Sequence, residues 1–196
     1  MWRRTRAVEQ ILNNLDTRTG WPEDLRVLLK EHPRSIWRAR GSATTEFWLL
    51  QHDSFRRQCA ALQAATDEFR TGARSASEFC LWVAPRLQGF IAHLHGHHQV
   101  EDFHYFPAFR AAEQRLAAGF DALAGDHALI HSGVESLLTA VNEFVAAVRH
   151  DAPSRDSQRH AGDRYVTASE LLYKRLLRHL DDEEDLVIPV MLAQGH

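Results

Sequence analysis

Cysteine is scarce in this chain. Cys59 and Cys80 are the two in 196 residues, too few for a disulfide scaffold or for a metal cage built of thiolates alone. No apolar run approaches the roughly 18–20 residues a bilayer span requires, so no membrane association is expected. The basic start, MWRRTRAVEQ, is not followed by the apolar stretch of a secretory signal, and the expected location is the cytoplasm. An excess of one charge is missing too. With 23 Lys+Arg against 26 Asp+Glu, the net charge of -3 gives no reason to expect a nucleic-acid partner. Strand signals are few, and 10 Gly and 6 Pro punctuate a pattern that is helical almost throughout. At 44% hydrophobic and 25% charged, the chain reads as one globular domain with a substantial core. What it has in abundance is histidine, 13 copies in all.

Helical spacing organises the sequence into a short beginning and a longer body. Val8, Ile11, Leu12 and Leu15 form a small amphipathic stripe, and Pro22 suits the first position of a helix over EDLRVLLKE. The Arg-rich link RSIWRARGS follows. Four long helices are then expected at about 45–70, 77–113, 118–149 and 158–185 or beyond, with Pro85 a possible kink or break in the second. Short loops between them predict an all-α, up-down-up-down four-helix bundle spanning 45–196, with residues 1–44 as an N-terminal helical extension.

The histidines fall in a pattern. His97 is followed by Glu101 and Asp102 and then by Phe106-Pro107; His179 is followed by Glu183 and Glu184 and then by Ile188-Pro189. Residues four apart share a helix face, so each pair can present an imidazole and a carboxylate to one point. The other two long helices carry His52 and the pair His127/His131 on their apolar stripes, where a lone imidazole is costly to leave without a partner. Counting along the helices brings the levels together. About 18 residues follow His52 and about 20 precede His97; about 12 follow Glu101 and about 9 precede His127; about 18 follow His131 and about 20 precede His179. His52, His97, Glu101, His127, His131, His179 and Glu183 therefore form a candidate dinuclear ligand set. Mixed nitrogen and oxygen donors suit iron, manganese, zinc or copper, and the lack of thiolates argues against an iron–sulfur cluster. Seven ligands would leave a position open for a small molecule.

At these residues, over about 45–192, the chain resembles the hemerythrin-like (HHE cation-binding) family, four-helix bundles that hold a non-haem di-iron centre. The resemblance implies that His127, His131 and His179 bind one iron, that His52 and His97 bind the other, and that Glu101 and Glu183 bridge the two. It implies two iron ions, replaceable by Mn or Zn, with the vacancy on the two-histidine iron. The oxygen-carrying members use His-x-x-x-x-Asp on the last helix. Here Glu183 stands four after His179, as in the bacterial branch, which includes nitric-oxide-linked and iron–sulfur repair proteins. The repair proteins carry an N-terminal cysteine, which residues 1–44 lack.

The function this implies is binding or sensing of O2 or NO. A di-iron oxidoreductase turning over peroxide or NO, iron storage or buffering, and a repair-type role are the alternatives. Whether the chain is an enzyme stays open at this point, as does its oligomeric state. The remaining histidines are assigned by position. His32, His150 and His196 are expected at the surface or terminus, and His95 and His98 on solvated faces. His160 is too far from His179 to share its level, while for His93, one turn before His97, and His104, three after Glu101, a supporting contact to the ligands stays open. Cys59 is expected to be a buried thiol and Cys80 a packing residue. The run DDEED reads as a partly solvated face in which Glu183 fits the ligand register, with Glu184 as a weak alternative. Val100, Phe103, Phe106, Leu176 and Leu180 are expected in the core. The tryptophans of the extension, Trp2, Trp21 and Trp37, either pack back on the bundle or form an interaction surface.

Overall fold

The structure is a computed structural model that describes Leu12, residues 14–149 and residues 155–195. The expected stripe at Val8 and Ile11, together with Trp2, His150 and His196, lies outside the described residues. Among the described residues there is no strand, and no helix is long and apolar enough to cross a membrane. Two short helices, α1 (Val27–Glu31) and α2 (Trp37–Arg40), precede the long α3 (Ala43–Arg70) and α4 (Ala76–Val100). A π turn over Glu101–Tyr105 leads to α5 (Phe106–Ala112), and then come α6 (Ala117–Arg149) and α7 (Arg155–Ala193).

Local chemistry sets these boundaries. Ser42 Oγ accepts from the backbone N–H groups of Thr44 and Thr45 at 3.1 and 3.4 Å, which starts α3. Gly72, at φ 77°, ends it by taking a left-handed conformation that side chains with a Cβ resist. Ser75 and Glu78 form a reciprocal capping box at the head of α4, with Ser75 N–H donating to Glu78 Oε2 at 3.0 Å and Glu78 N–H to Ser75 Oγ at 3.3 Å. Pro85 lies inside α4 without ending it. The carbonyl that loses its partner there belongs to Leu81, which is 76% exposed, so water can serve it. Beyond Val100 the ladder widens, and Phe106 N–H reaches back to Glu101 O, five residues away. Pro107, which has no N–H to return to Phe103, stands just after this turn.

The chain forms two compact units. One comprises the described residues of Met1–Ser54, His97–Leu129 and Arg175–His196; the other comprises Phe55–Gly96 and Ile130–Lys174. In the second unit, Phe69 of α3, Phe79 of α4, Phe144 of α6 and Tyr165 of α7 meet ring to ring at 5.0–6.3 Å between centroids. In the first unit, Trp21, Leu25, Leu28 and Trp37 from the N-terminal segment are buried in one apolar cluster with Trp48, Phe106, Phe109, Phe120 and Leu186. Each such side chain contributes about 1.5–3 kcal/mol by leaving water. Trp21 and Trp37 thus pack back on the body of their unit, and do not form an open surface.

Two core assignments fail. Val100 is 46% and Phe103 73% exposed, whereas Phe106, Leu176 and Leu180 are buried. The inward line of α4 runs through Phe90, Leu94 and Glu101, and positions 100 and 103 lie off it. The acidic run is not a solvated face either: Asp182, Glu183 and Glu184 are buried, and Asp181 and Asp185 half-buried. The N-terminal segment covers it, with Arg34 donating to Asp185 Oδ1 at 2.8 Å and to Asp181 O at 3.1 Å.

The junction of that segment with α3 is tightly built. A Cβ on Gly41 would lie 2.8 Å from the backbone oxygen of Trp37 and from Thr45 Cγ2. Gly41→Ala is therefore expected to destabilise the protein by about 1–3 kcal/mol, read as a lower midpoint of denaturant unfolding with an unchanged slope.

Candidate metal centre

All the side chains of the candidate centre lie within the first unit, supplied by the four long helices and the π turn. Helix α3 brings Trp48 and His52, α4 brings His97 and His98, and the π turn brings Glu101 and Asp102. Helix α6 brings Asp126 and His127, and α7 brings His179 to Glu184. Their donor atoms gather in two groups. His98, Glu101, His127 and His179 form one, and His52, His97, Glu101 and Glu183 form the other, with one ligand atom from each residue within 4.8 Å of the others in its group.

The two carboxylates tie the groups together. Glu101 Oε1 is 2.8 Å from His97 Nε2, and its Oε2 is 3.5 Å from His127 Nε2. Glu183 Oε1 is 3.3 Å from His52 Nε2, and its Oε2 is 3.2 Å from His179 Nε2. Each carboxylate thus stands between histidines of both groups. His127 Nε2 and His179 Nε2 face each other at 3.1 Å, and the His98 ring stacks on His127 at 3.9 Å and 8°.

Several of these atoms are close to one another without being hydrogen-bonded. His52 Nε2, both oxygens of Glu101 and Glu183 Oε2 are buried and have no hydrogen-bond partner. Buried polar atoms left in that condition cost about 1–3 kcal/mol each. Lone pairs that converge on shared points, and miss one another's donor directions, fit a cation between them. The residues therefore fit a pair of metal ions held by nitrogen and oxygen donors.

The far sides of the rings are held outward. His127 Nδ1 is 2.8 Å from Asp102 Oδ1, His52 Nδ1 is 3.0 Å from Glu184 Oε1, and His179 Nδ1 is 3.4 Å from Asp126 Oδ2. A carboxylate that accepts from Nδ1–H fixes the tautomer and directs Nε2 inward. Trp48 Nε1–H donates to Glu183 Oε1 at 2.7 Å. The donor residues are almost completely buried apart from His97, whose side chain is 11% exposed, while Asp102, behind His127, is 35% exposed.

Charge is shared unevenly in the metal-free protein. Burial lowers the pKa of His179, but Asp126 and Glu183 more than offset it and hold the ring protonated up to about 9. His52 is likewise raised against its burial by Glu183 and Glu184. Burial pushes His97 down to about 3, against the pull of Glu183 and with the repulsion of His52, His179 and His127. His98 and His127 are lowered chiefly by burial. Glu101 is raised well above the carboxylate range by burial and by the charge of Glu183. Glu183 is held low by His52 and His179 in spite of its burial.

Six of the seven residues expected from the sequence come together here: His52, His97, Glu101, His127, His179 and Glu183. His131 does not. It lies in the other unit, where its ring meets His95 edge-on at 5.4 Å. The buried line of α6 runs through Leu123, His127, Ile130 and Val134, and one turn past His127 the chain has left the level of the donors. His98, expected on a solvated face, takes part instead and is fully buried. The signal was present, since His98 is four after Leu94 and three before Glu101, on the same inward line. His93 stacks on Phe55 at 4.4 Å, and His104 and His160 are exposed. His32 is half-buried and its carbonyl accepts from Trp37 Nε1. Cys59 is buried outside both groups, its thiol pushed up to about 12 by burial.

The family model of the hemerythrin HHE cation-binding domain matches residues 43–191. No curated protein and no solved structure matches the chain at a significant level.

Histidine NMR of the metal-free protein checks the electrostatics. The His179 imidazolium is expected to lose its proton near pH 9, while His97 stays neutral down to about pH 3. A His179 that titrates near 6.5, the ordinary value, would contradict the ion pairs described above.

Proposed function

The chain belongs to the hemerythrin HHE cation-binding domain family, and on that premise we propose that it is a non-haem di-iron protein that binds or senses a diatomic gas, O2 or NO. One observation carries this reading. Two buried carboxylates, Glu101 and Glu183, each stand between histidines of both donor groups, with oxygens that no hydrogen bond satisfies. Two carboxylates that each reach histidines of both groups suit a pair of ions sharing them.

In this reading His98, His127 and His179 would hold one iron and His52 and His97 the other, with Glu101 and Glu183 available to both. His98 thereby replaces His131 in the set. The group with two histidines offers fewer protein donors and includes His97, the one partly exposed ligand, so a small molecule would enter there. Bound iron would supply a reducing, coordinatively open site for the gas. The protein's own part is orientation and shielding. Asp102, Asp126 and Glu184 hold the rings, and Trp48 holds Glu183. Trp48 lies 6.3 Å from His97 between ring centroids and is itself backed by Tyr105 and Phe109. Mn or Zn would be accepted by the same donors. The four long helices then run as an up-down-up-down bundle, with residues 1–44 as its extension.

Anaerobic loading with ferrous iron is expected to give two ions per chain, and admission of O2 or NO to change the visible spectrum. A spectrum unmoved by both gases would refute gas binding. His98→Ala should lose metal, whereas His131→Ala should retain it. Because His179 holds its proton up to about 9 in the metal-free protein, and His52 and Glu101 are shifted toward their protonated forms, loading competes with protons. Metal affinity should therefore rise with pH between about 6 and 8, measured by titration in buffered solution with proton release followed in parallel.

A further inference from the structure

Arg18 precedes the residues matched by the family model, 43–191, yet its side chain is fully buried beside the metal centre. It sits between two buried carboxylates. Its Nε donates to Asp182 Oδ2 at 2.7 Å, its Nη1 to Asp126 Oδ1 at 3.3 Å and to Leu12 O at 2.7 Å, and its Nη2 to Asp126 Oδ2. That same Oδ2 of Asp126 faces His179 Nδ1 at 3.4 Å. Trp21 locks the arrangement from outside, with the Arg18 guanidinium 4.7 Å from its ring centre and its Nε1–H donating to Asp182 O at 2.6 Å. A continuous line of contacts thus runs from Arg18 through Asp126 to His179. The rings of the other donor group are held differently, His52 by Glu184.

This line has a direction. A buried carboxylate needs compensating donors, and Arg18 supplies two of them to Asp126 and holds it in place. Asp126 in turn sets the tilt and donor strength of the His179 ring. The planar fork of arginine reaches Asp126 and Asp182 together, which the single ammonium of lysine cannot do.

We propose that Arg18 is a positioning residue for the metal held by His98, His127 and His179, acting through Asp126. Arg18 is then a working part of one half of the centre, through its contact with Asp126. The inference rests on the di-iron reading above, and it predicts an asymmetry that packing alone does not produce.

Co(II) titration of the full chain, followed by its visible absorption, reads each equivalent separately. The His98→Ala and His52→Ala variants identify which is which. Arg18→Met should weaken the equivalent lost in His98→Ala by about ten- to a hundredfold, with the other within about twofold of wild type. Arg18→Lys should restore part of the loss. Arg34→Met removes a different anchor of the same segment, its contacts with Asp185 and with Asp181 O, and should leave the equivalent lost in His98→Ala unchanged. Equal weakening of both by Arg18→Met, no weakening, or the same pattern from Arg34→Met would overturn the proposal. Should Arg18→Met fail to fold, Asp126→Asn reads the same line and must weaken the same equivalent. A wild type that takes up no Co(II) overturns the di-iron reading itself. The metal-free imidazole NMR spectrum still decides Arg18's role in that case: the His179 Nδ1–H signal must move in Arg18→Met and stay in Arg34→Met.

Discussion

Two carboxylates buried within reach of five buried or nearly buried imidazoles are the constraint on which the rest of this protein depends. Side by side in a dry interior, Glu101 and Glu183 repel each other, and the penalty on a second negative charge is large there. The metal-free protein divides the burden. Glu183 stays ionised between His52 and His179, and Glu101 is driven toward its protonated form. Such an arrangement is electrically tolerable but leaves buried oxygens unsatisfied. Cations placed between the histidines and carboxylates would resolve both problems, since they match the charge and occupy the directions in which the lone pairs point.

Holding that arrangement falls to residues outside it. Asp102, Asp126 and Glu184 each face the outer nitrogen of one ring. Imidazoles pinned this way cannot flip their donor nitrogen away from the centre. Those carboxylates are charges that need compensation in turn, and for Asp126 it arrives from Arg18, far away in sequence. The N-terminal segment meets α7 at Asp16–Arg175, Arg18–Asp182, Trp21–Asp182 and Arg34–Asp185. Its tryptophans and leucines bury apolar surface in the same place. Packing and electrostatics therefore act on one stretch of helix, the stretch that carries His179 and Glu183.

Much of this was legible beforehand. The four long helices follow from apolar spacing between neighbours in sequence, and local chemistry such as Ser75 with Glu78 sets their ends in the structure. His97 with Glu101 and His179 with Glu183 each lie on one face because the helix period puts them there. What escaped was decided by partners distant in sequence. Asp181–Asp185 looks like a water-facing acidic run until the N-terminal segment covers it. Val100 and Phe103 look like core until the line through Leu94 and Glu101 is fixed.

The histidine pairs mark the boundary most clearly. Sequence alone determined that imidazoles and carboxylates share helix faces and that four helices bring them to a common level, because spacing along a helix is set by its own hydrogen bonds. Only the tertiary structure decided between His97 and His98, which it uses together, and between His127 and His131, of which it uses the first. Adjacent residues differ by about 100° around a helix and residues four apart by about 6 Å along it. Differences of that size are settled by how each helix is rotated and seated against its neighbours.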